Sequence, residues 1–386
     1  MIRPFGLRDV GLVARLQREG VLLDLETGLT RPRSPLAAAV VSSMLPSRNG
    51  ASTYIVNHKD ENGHLLGLAQ MRRRPSRPEH VIVFIAPALT AGNGAHAIWQ
   101  RLLTHLCVKA GEQGGQRLYA GLPIDGEEYQ IFRHVGFTAY AQEDVFELAG
   151  PPPRLTGVDP LSLRRQRSYD SWGLQQLYAT VTPRAVQNAE GSAQSQWEVG
   201  RRGWWAAYPQ RQGYVWESRD EIWAALQIRS SHGGHWLRML LHPDAIDQAD
   251  GLVAAALSHV GRTPGQKLYC AVRTYEAGIP SALTAWGFQL VGSQTLAVKH
   301  TTVWAREPVA QPVHALESHA PQLYVSEKSS GQDDRDVGHV EELQGIFRPV
   351  TTYLPERKRH FELYGFGIDY EQKDYHREYQ RIDRIL

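Results

Sequence analysis

The chain has few of the features that mark a specialised class of protein. Its 386 residues contain two cysteines, Cys107 and Cys270, and neither has metal-ligand spacing. No apolar run approaches the roughly 18 residues of a membrane span, and the N-terminus lacks the apolar region of a signal peptide. Lys and Arg number 42 against 40 Asp and Glu, which argues against broad binding to nucleic acid. We expect a protein of the reducing cytoplasm with buried thiols and no metal, membrane or nucleic-acid partner.

The C-terminal part differs from the rest in charge. Residues 307–386 contain 10 Lys and Arg against 15 Asp and Glu, a net charge of −5. After a proline-containing linker, Tyr375, Tyr379, Ile382 and Leu386 have the spacing of one helical face. That face needs a partner, for which the protein's own core or a second protomer is favoured over a foreign protein. A homodimer is therefore one of the alternatives for this helical extension.

The same pattern of short motifs occurs twice, in the same order, about 150 to 160 residues apart. Both occurrences combine a strand that ends in proline, a later Leu-Tyr strand and a Gly-Phe break. The motifs are Ile85-Ala86-Pro87, Leu118-Tyr119 and Gly136-Phe137, matched by Leu241-His242-Pro243, Leu268-Tyr269 and Gly287-Phe288. The repeat indicates two copies of one domain, separated by the stiff Pro151-Pro152-Pro153 linker.

Hydrophobic periodicity predicts the same order of elements in each copy: helix, strand hairpin, central strand, helix, strand, short helix and closing strand. In the first copy the central strand is residues 81–86, and the helix is residues 95–110. The loop between them contains Gly92 and Gly94. Glycines let a backbone approach a phosphate closely, and free N–H groups at a helix start bind anions. The loop matches neither a Walker loop nor a full dinucleotide fingerprint.

This combination resembles the GNAT superfamily of acyl-CoA-dependent N-acyltransferases, over residues 1–148 and, more faintly, 160–306. The resemblance implies an α/β fold with two tandem mixed, mainly antiparallel sheets flanked by helices. We predict a first GNAT-like acyltransferase domain at 1–150, a degenerate second one at 158–306, and a linker and helical extension at 307–386.

In that family the central strand separates from its neighbour, and the pantetheine arm of acyl-CoA lies in the gap. The resemblance therefore implies acetyl-CoA or another acyl-CoA as co-substrate, with no metal. Its pantetheine would lie on the backbone of Phe84, Ile85 and Ala86. Its pyrophosphate would lie on the loop formed by Ala91, Gly92, Asn93, Gly94 and Ala95. Only Ala95 in this loop fits the family pattern.

The corresponding loop of the second copy carries three carboxylates, Asp244, Asp247 and Asp250. Carboxylates beside a pyrophosphate would repel it. We therefore expect the second copy to bind CoA poorly or not at all.

Candidate proton-transfer residues follow from the same resemblance. A general base must deprotonate the incoming ammonium, and the family position falls on Glu79, beside His80, with His235 as its equivalent in the second copy. Alternation places Glu79 on one side of the strand with Val81, Val83 and Ile85. The alternative is that Glu79 and His80 are solvated residues at the start of a strand.

The family often has a tyrosine that protonates the departing thiolate. Phe132 takes that position here, and Leu283 takes it in the second copy. Tyr129, one helical turn earlier, is the nearest candidate acid, with a packing role as its alternative.

The resemblance implies transfer of an acyl group from acyl-CoA to a primary amine, on a small molecule or a peptide. The alternative is a non-catalytic acyl-CoA-binding or scaffold protein with a degenerate GNAT fold. The weakened loop and the missing tyrosine favour the alternative, whereas Glu79 favours the enzyme.

Overall fold

The computed structural model describes residues 2–44, 51–60, 63–74, 77–92, 94–124, 126–153, 157–191, 196–197, 199, 210–260 and 266–301. Asn93 and the predicted extension at 307–386 lie outside these residues.

The first copy contains seven strands and five helices among its described residues. The strands are β1 (Ile2–Pro4), β2 (Val21–Leu22), β3 (Ala51–Asp60), β4 (Gly63–Arg73), β5 (Glu79–Ala86), β6 (Arg117–Pro123) and β7 (Thr138–Leu148). The helices are α1 (Val10–Leu16), α2 (Leu25–Thr30), α3 (Pro35–Met44), α4 (Ala95–Glu112) and α5 (Glu127–His134).

In its described residues, the second copy repeats this order with two helices before its strand hairpin. Its strands are β8 (Arg164–Arg165), β9 (Gln210–Ser218), β10 (Glu221–Ser230), β11 (Gly234–Leu241), β12 (Lys267–Arg273) and β13 (Gln289–His300). Its helices are α6 (Ser171–Val181), α7 (Arg184–Glu190), α8 (Ala249–His259) and α9 (Ile279–Ala285).

The mixed, mainly antiparallel α/β fold is confirmed, but the two copies share one sheet instead of having one each. The order of strands is β1-β3-β4-β5-β6-β13-β7-β12-β11-β10-β9-β8, with β2 attached to β5. The closing strands are exchanged: β13 of the second copy pairs with β6, and β7 of the first copy pairs with β12. β7 and β13 also pair with each other at the junction. Sequence patterns predict a strand but not its partner, so this exchange was not foreseen.

Each face of the sheet buries an apolar core against helices. On the back face, α4 covers the first copy and α8 covers the second, with Trp99, Leu102 and Leu252 fully buried. On the front face, α1 packs on Ile55 and Leu68. Cys270 lies within the second core and Cys107 packs partly against the first, so both thiols are core residues as expected.

Short helices on the front face also cross between the copies. Leu25 and Leu29 of α2 pack against Trp236 of β11, and Ala189 of α7 packs against Val81 of β5. Each copy therefore covers part of the other's sheet as well as completing it. No helix in the described part of the chain is long and apolar enough to cross a membrane.

This exchange predicts that the two copies stay together when the linker is cut. A protease site inserted at residues 151–157 should yield two fragments that elute together from a sizing column, because β6 and β12 each pair with a strand of the other fragment. The fragments should separate only in denaturant. Separate elution in native buffer would show that the strand exchange does not hold the copies together.

Candidate functional site

A β-bulge interrupts the central strand β5 of the first copy. Met71 pairs with Ile82, and the next residue, Gln70, pairs with Phe84, so Val83 is an extra residue. Bulges bend a strand and increase its local twist. β5 pairs with β6 only from Glu79 to Val81, opposite Arg117 to Tyr119. Beyond these residues the two strands separate, and we call the space between them the gap.

The bulge also changes which side chains share a face. Val81 packs on the front of the sheet, but Ile85 packs on the back with α4, whereas Phe84 and Ala86 pack on the front with α1. The prediction that Glu79, Val81, Val83 and Ile85 face one side is therefore wrong beyond Val83, because the extra residue reverses the alternation. Glu79 shares its face with Phe84 and Ala86 instead.

The second copy has a different central strand. β10 and β11 pair without a bulge, and β11 pairs with β12 over five residues, from Gly234 to Arg238. His235 binds Ser230 through Nδ1 at 2.9 Å and Gln266 through Nε2 at 3.0 Å. Its structural equivalent is His80, whose Nε2 binds Gln113 at 3.0 Å, and not Glu79 as the alignment of the repeats predicted.

The gap of the first copy contains a segment of the protein itself. Residues 19–23, which we call the strap, run antiparallel to β5, with Val21 opposite Ile85 and Leu22 opposite Phe84. The Leu23 N–H donates to the Val83 carbonyl at 2.8 Å, and the Leu23 carbonyl accepts from the Gly121 N–H at 2.9 Å. Leu23 thus bridges the two separated strands through its backbone.

The strap engages the backbone that the sequence prediction assigned to pantetheine. Phe84 and Ile85 pair with β4 on one side and with β2 on the other. The strap also fits closely, because a Cβ on Gly20 would overlap the Phe84 ring and approach the Ile85 carbonyl oxygen to 2.8 Å. The first copy therefore does not fit acyl-CoA in the conformation described here.

The glycine loop makes its own turns. The Ala91 N–H donates to the Ala88 carbonyl at 3.0 Å, the Gly92 N–H to Leu89 at 3.2 Å, and the Ala95 N–H to Gly92 at 2.8 Å. Gly92 and Gly94 have φ values of 66° and 74°, a region that favours glycine. Three of the amides predicted to hold pyrophosphate therefore bond within the loop.

Glu79 is buried and surrounded by arginines. Its carboxylate lies 3.2 Å from Arg74 Nη1, 3.7 Å from Arg77 Nη1 and 3.9 Å from Arg117 Nη1. The alternative of a solvated residue is wrong for Glu79 and for His80, since only 2% and 1% of their surfaces are exposed. An ion-paired carboxylate has less freedom to accept a substrate proton, so the geometry adds no support for a general base here.

His80 and Tyr129 are not close partners of Glu79. His80 points to the opposite face of β5, and burial lowers the pKa of its imidazole. The Tyr129 ring packs against the back-face core, and its hydroxyl accepts a hydrogen bond from the Ala139 N–H at 3.4 Å. Phe132 is fully buried between Trp99 and Phe137. The predicted acid and base positions therefore do not form one site.

A buried charge network at the junction was missed in the sequence analysis. Arg273 of β12 pairs with Glu143 of β7 at 2.9 Å and with Glu190 of α7 at 3.0 Å. Tyr178 donates to Glu190 at 3.0 Å. Burial acts to raise the pKa of Glu190, but Arg273 and Arg238 outweigh it and leave that pKa below its usual value. These pairs join distant parts of the chain, so no local motif could have revealed them.

Glu276 lies at the end of β12, beside this network. Its carboxylate accepts a hydrogen bond from the Arg273 backbone N–H at 2.8 Å. Burial raises the pKa of Glu276 to about 7, although that hydrogen bond and the nearby arginines oppose the change. Perturbed acids cluster at functional sites and also in structural networks, so Glu276 is a candidate by its environment alone.

Around the loop that follows β11, Asp244 and Asp247 are exposed, and Asp250 lies half-buried in the first turn of α8. The arrangement keeps negative charge near this helix start. The described residues contain no group of three or more His, Cys, Asp or Glu side chains placed to hold a metal ion.

Comparison with known proteins gives likenesses of structure only. No family model and no curated protein matches the chain. It is similar to a tandem GNAT protein from the clavulanic acid biosynthesis pathway, with 16% identity, a TM-score of 0.42, and coverage of 78% of this chain and 98% of the other. It is also similar to a GCN5-related N-acetyltransferase from Sphaerobacter thermophilus, with 11% identity, a TM-score of 0.41, and coverage of 78% and 95%. A putative acetyltransferase from Pyrococcus horikoshii has 11% identity, a TM-score of 0.40, and coverage of 78% and 90%.

The chain has a tandem GNAT-like fold, as the sequence motifs predicted. Two copies repeat one order of elements, and each has a central strand that leaves its parallel neighbour.

The raised pKa of Glu276 predicts how stability changes with pH. An acid whose folded pKa lies above its unfolded value favours the folded state only while protonated, so stability falls as pH rises from about 4.5 through about 7. Glu276→Gln keeps an acceptor oxygen without the charge. We expect the free energy of unfolding of the variant, measured in urea, to exceed that of the natural protein by on the order of 2 kcal/mol at pH 8. The two proteins should differ little near pH 4.5.

The control for this comparison is Glu221→Gln, since Glu221 is exposed at the start of β10. It should change stability little at either pH. A Glu276→Gln variant that is less stable than the natural protein at pH 8 would contradict the assignment.

Proposed function

We propose that the protein is an acyl-CoA-dependent N-acyltransferase, with an acetyl group as the expected acyl group and a primary amine of a small molecule or peptide as acceptor. The observation that supports this proposal is the gap. The bulge at Val83 separates β5 from β6 after three residue pairs, and the backbone groups of Val83 and Gly121 face the space between them. Without the strap, these backbone groups on two separated strands would match an extended amide chain such as pantetheine.

The loop beyond the gap supports the same proposal. It leaves the buried end of β5, contains two glycines with positive φ, and enters an 18-residue helix with no acidic residue in its first turn. A phosphate group gains from such a position because the helix N-terminus is electropositive. Rearrangement of the loop would be needed to free the amides that now bond within it.

A non-catalytic acyl-CoA-binding or scaffold protein is the second candidate. It is favoured by the strap within the gap, by the arginines around Glu79, and by the apolar Phe132 at the place of the family's acid. The two candidates differ in whether acetyl-CoA is consumed when an amine is present.

The glycine loop provides the first test. We expect calorimetric titration of the purified protein to show one acetyl-CoA site per chain. Gly92→Val should weaken binding by about tenfold or more, because a branched side chain disfavours a φ of 66° and distorts the loop.

Gly114→Val is the matched control, since Gly114 also has a positive φ, of 75°, and open space around it, but follows α4 at the other end of the helix. Equal weakening in both variants would show that the effect is general destabilisation. No binding to the natural protein up to millimolar acetyl-CoA would leave the scaffold as the better candidate.

Glu79→Gln provides the test of the base. If Glu79 accepts the proton, turnover should fall by about a hundredfold or more and the acidic limb of the pH–rate profile should change. The fold needs a parallel check by urea unfolding, because the substitution leaves three arginines without their carboxylate. Unchanged turnover and an unchanged pH–rate profile would show that Glu79 is a structural ion-pair partner only.

A further inference from the structure

The strap and the pantetheine arm of an acyl-CoA would need the same backbone atoms. The Val83 carbonyl accepts from the Leu23 N–H, and the Gly121 N–H donates to the Leu23 carbonyl. Hydrogen bonds of this kind are directional, so these two backbone groups cannot bind the strap and the pantetheine arm at the same time. Leu23 is also almost fully buried, with 1% of its surface exposed. Strap and ligand are therefore mutually exclusive.

Among the residues that the structure describes, the strap is a feature of the first copy alone. Residues 17–24 separate α1 from α2, whereas only residues 182 and 183 separate α6 from α7. Among the described residues of the second copy, no strand lies between β11 and β12 as β2 lies beside β5. The eight-residue connection is thus long enough to enter the gap, and the two-residue connection is not.

The pairing of the strap with the gap is short. β2 has two residues, and the strap is closed at its start by one hydrogen bond from the Ala88 N–H to the Glu19 carbonyl. An amide chain that replaced the strap would restore similar hydrogen bonds on β5 and β6, so the main change would be exposure of Leu23. A ligand that binds the form with an open gap could therefore replace the strap at a small cost in free energy.

The far end of the strap is tied to the second copy. Asp24 caps α2 through the Thr27 N–H and pairs with Arg72 of β4 at 2.7 Å. Glu26 of α2 pairs with Arg229 of β10 at 2.5 Å, and the Thr30 carbonyl accepts from the Gly233 N–H at 3.0 Å. The strap thus leads directly into a helix that the second copy holds.

We propose that residues 19–23 are an autoinhibitory strap, which must leave the gap between β5 and β6 before acyl-CoA binds there. This inference rests on the proposed function. It makes the second copy a regulator, because that copy holds α2 and with it one end of the strap. When only a fraction of molecules has an open gap, the apparent affinity is reduced by that fraction.

Gly20→Ala tests the strap without changing β5 or β6. The added methyl group would overlap the Phe84 ring and so push the strap from the gap. We expect acetyl-CoA affinity in calorimetric titration to rise by about tenfold or more, as expected if an open fraction of a few per cent becomes the main form. Gly11→Ala is the control, because a Cβ on Gly11 in α1 would meet nothing within 4 Å.

Gly28→Ala loosens the strap from its other side, since a Cβ there would overlap the Leu22 side chain. It provides a second variant if Gly20→Ala does not fold. Hydrogen exchange on the natural protein provides a measurement without any variant. Saturating acetyl-CoA should speed exchange of the Leu23 amide, which now bonds to Val83.

The outcomes separate the two proposals. Equal affinity in all variants, with the Leu23 amide still protected at saturation, would overturn the strap while leaving acyl-CoA binding intact. Absence of binding in the natural protein and in both strap variants would overturn the acyltransferase proposal and the strap's inhibitory role together. Tighter binding in Gly20→Ala and not in Gly11→Ala would support both.

Discussion

The exchange of closing strands is the constraint on which the rest of this structure depends. Because β13 lies beside β6 and β7 lies beside β12, neither copy can complete its sheet alone. The same exchange brings Glu143 of the first copy to Arg273 of the second, where the pair is buried. A buried ion pair adds little net stability but is costly to break, so it opposes other alignments of the two copies.

A continuous set of contacts leads from the gap of the first copy to the strand β11 of the second copy. The bulge at Val83 lets β5 leave β6, the strap enters between them, and α2 continues from the strap onto β11. The strap therefore links the backbone of the gap to a helix that packs on the second copy.

Local patterns in the sequence were sufficient to predict most of the helices and strands. The central strand predicted at residues 81–86 is β5, Glu79–Ala86, and the helix predicted at residues 95–110 is α4, Ala95–Glu112, since the apolar pattern of each lies within the element itself. The strap and the strand exchange could not be predicted in this way. β2 is two residues long, and its partner residues in β5 lie 62 and 64 residues further along the chain, so no period or turn signal marks it.

The candidate site was predictable in position and less so in detail. The ends of β5 and the glycine loop were located from short motifs, but the alternation rule failed at the bulge, which adds a residue without a sequence signature. Glu79 was identified by its place in the strand, yet its three arginines come from the β4–β5 connection and from β6, and only the fold brings them together. The network around Glu190 depends on the exchange and was missed with it.

The exchanged strands also have a consequence for synthesis of the chain. β6 spans residues 117–123, and one of its two partners in the native sheet, β13, is made only at residues 289–300. While the ribosome extends the second copy, the edge of β6 is open to the nearby β7, or to the same edge of another nascent chain. Contacts so distant in sequence form slowly. Until β13 is made, β6 therefore keeps an unpaired edge, and pairing of that edge with β7 or with another chain would compete with the native sheet.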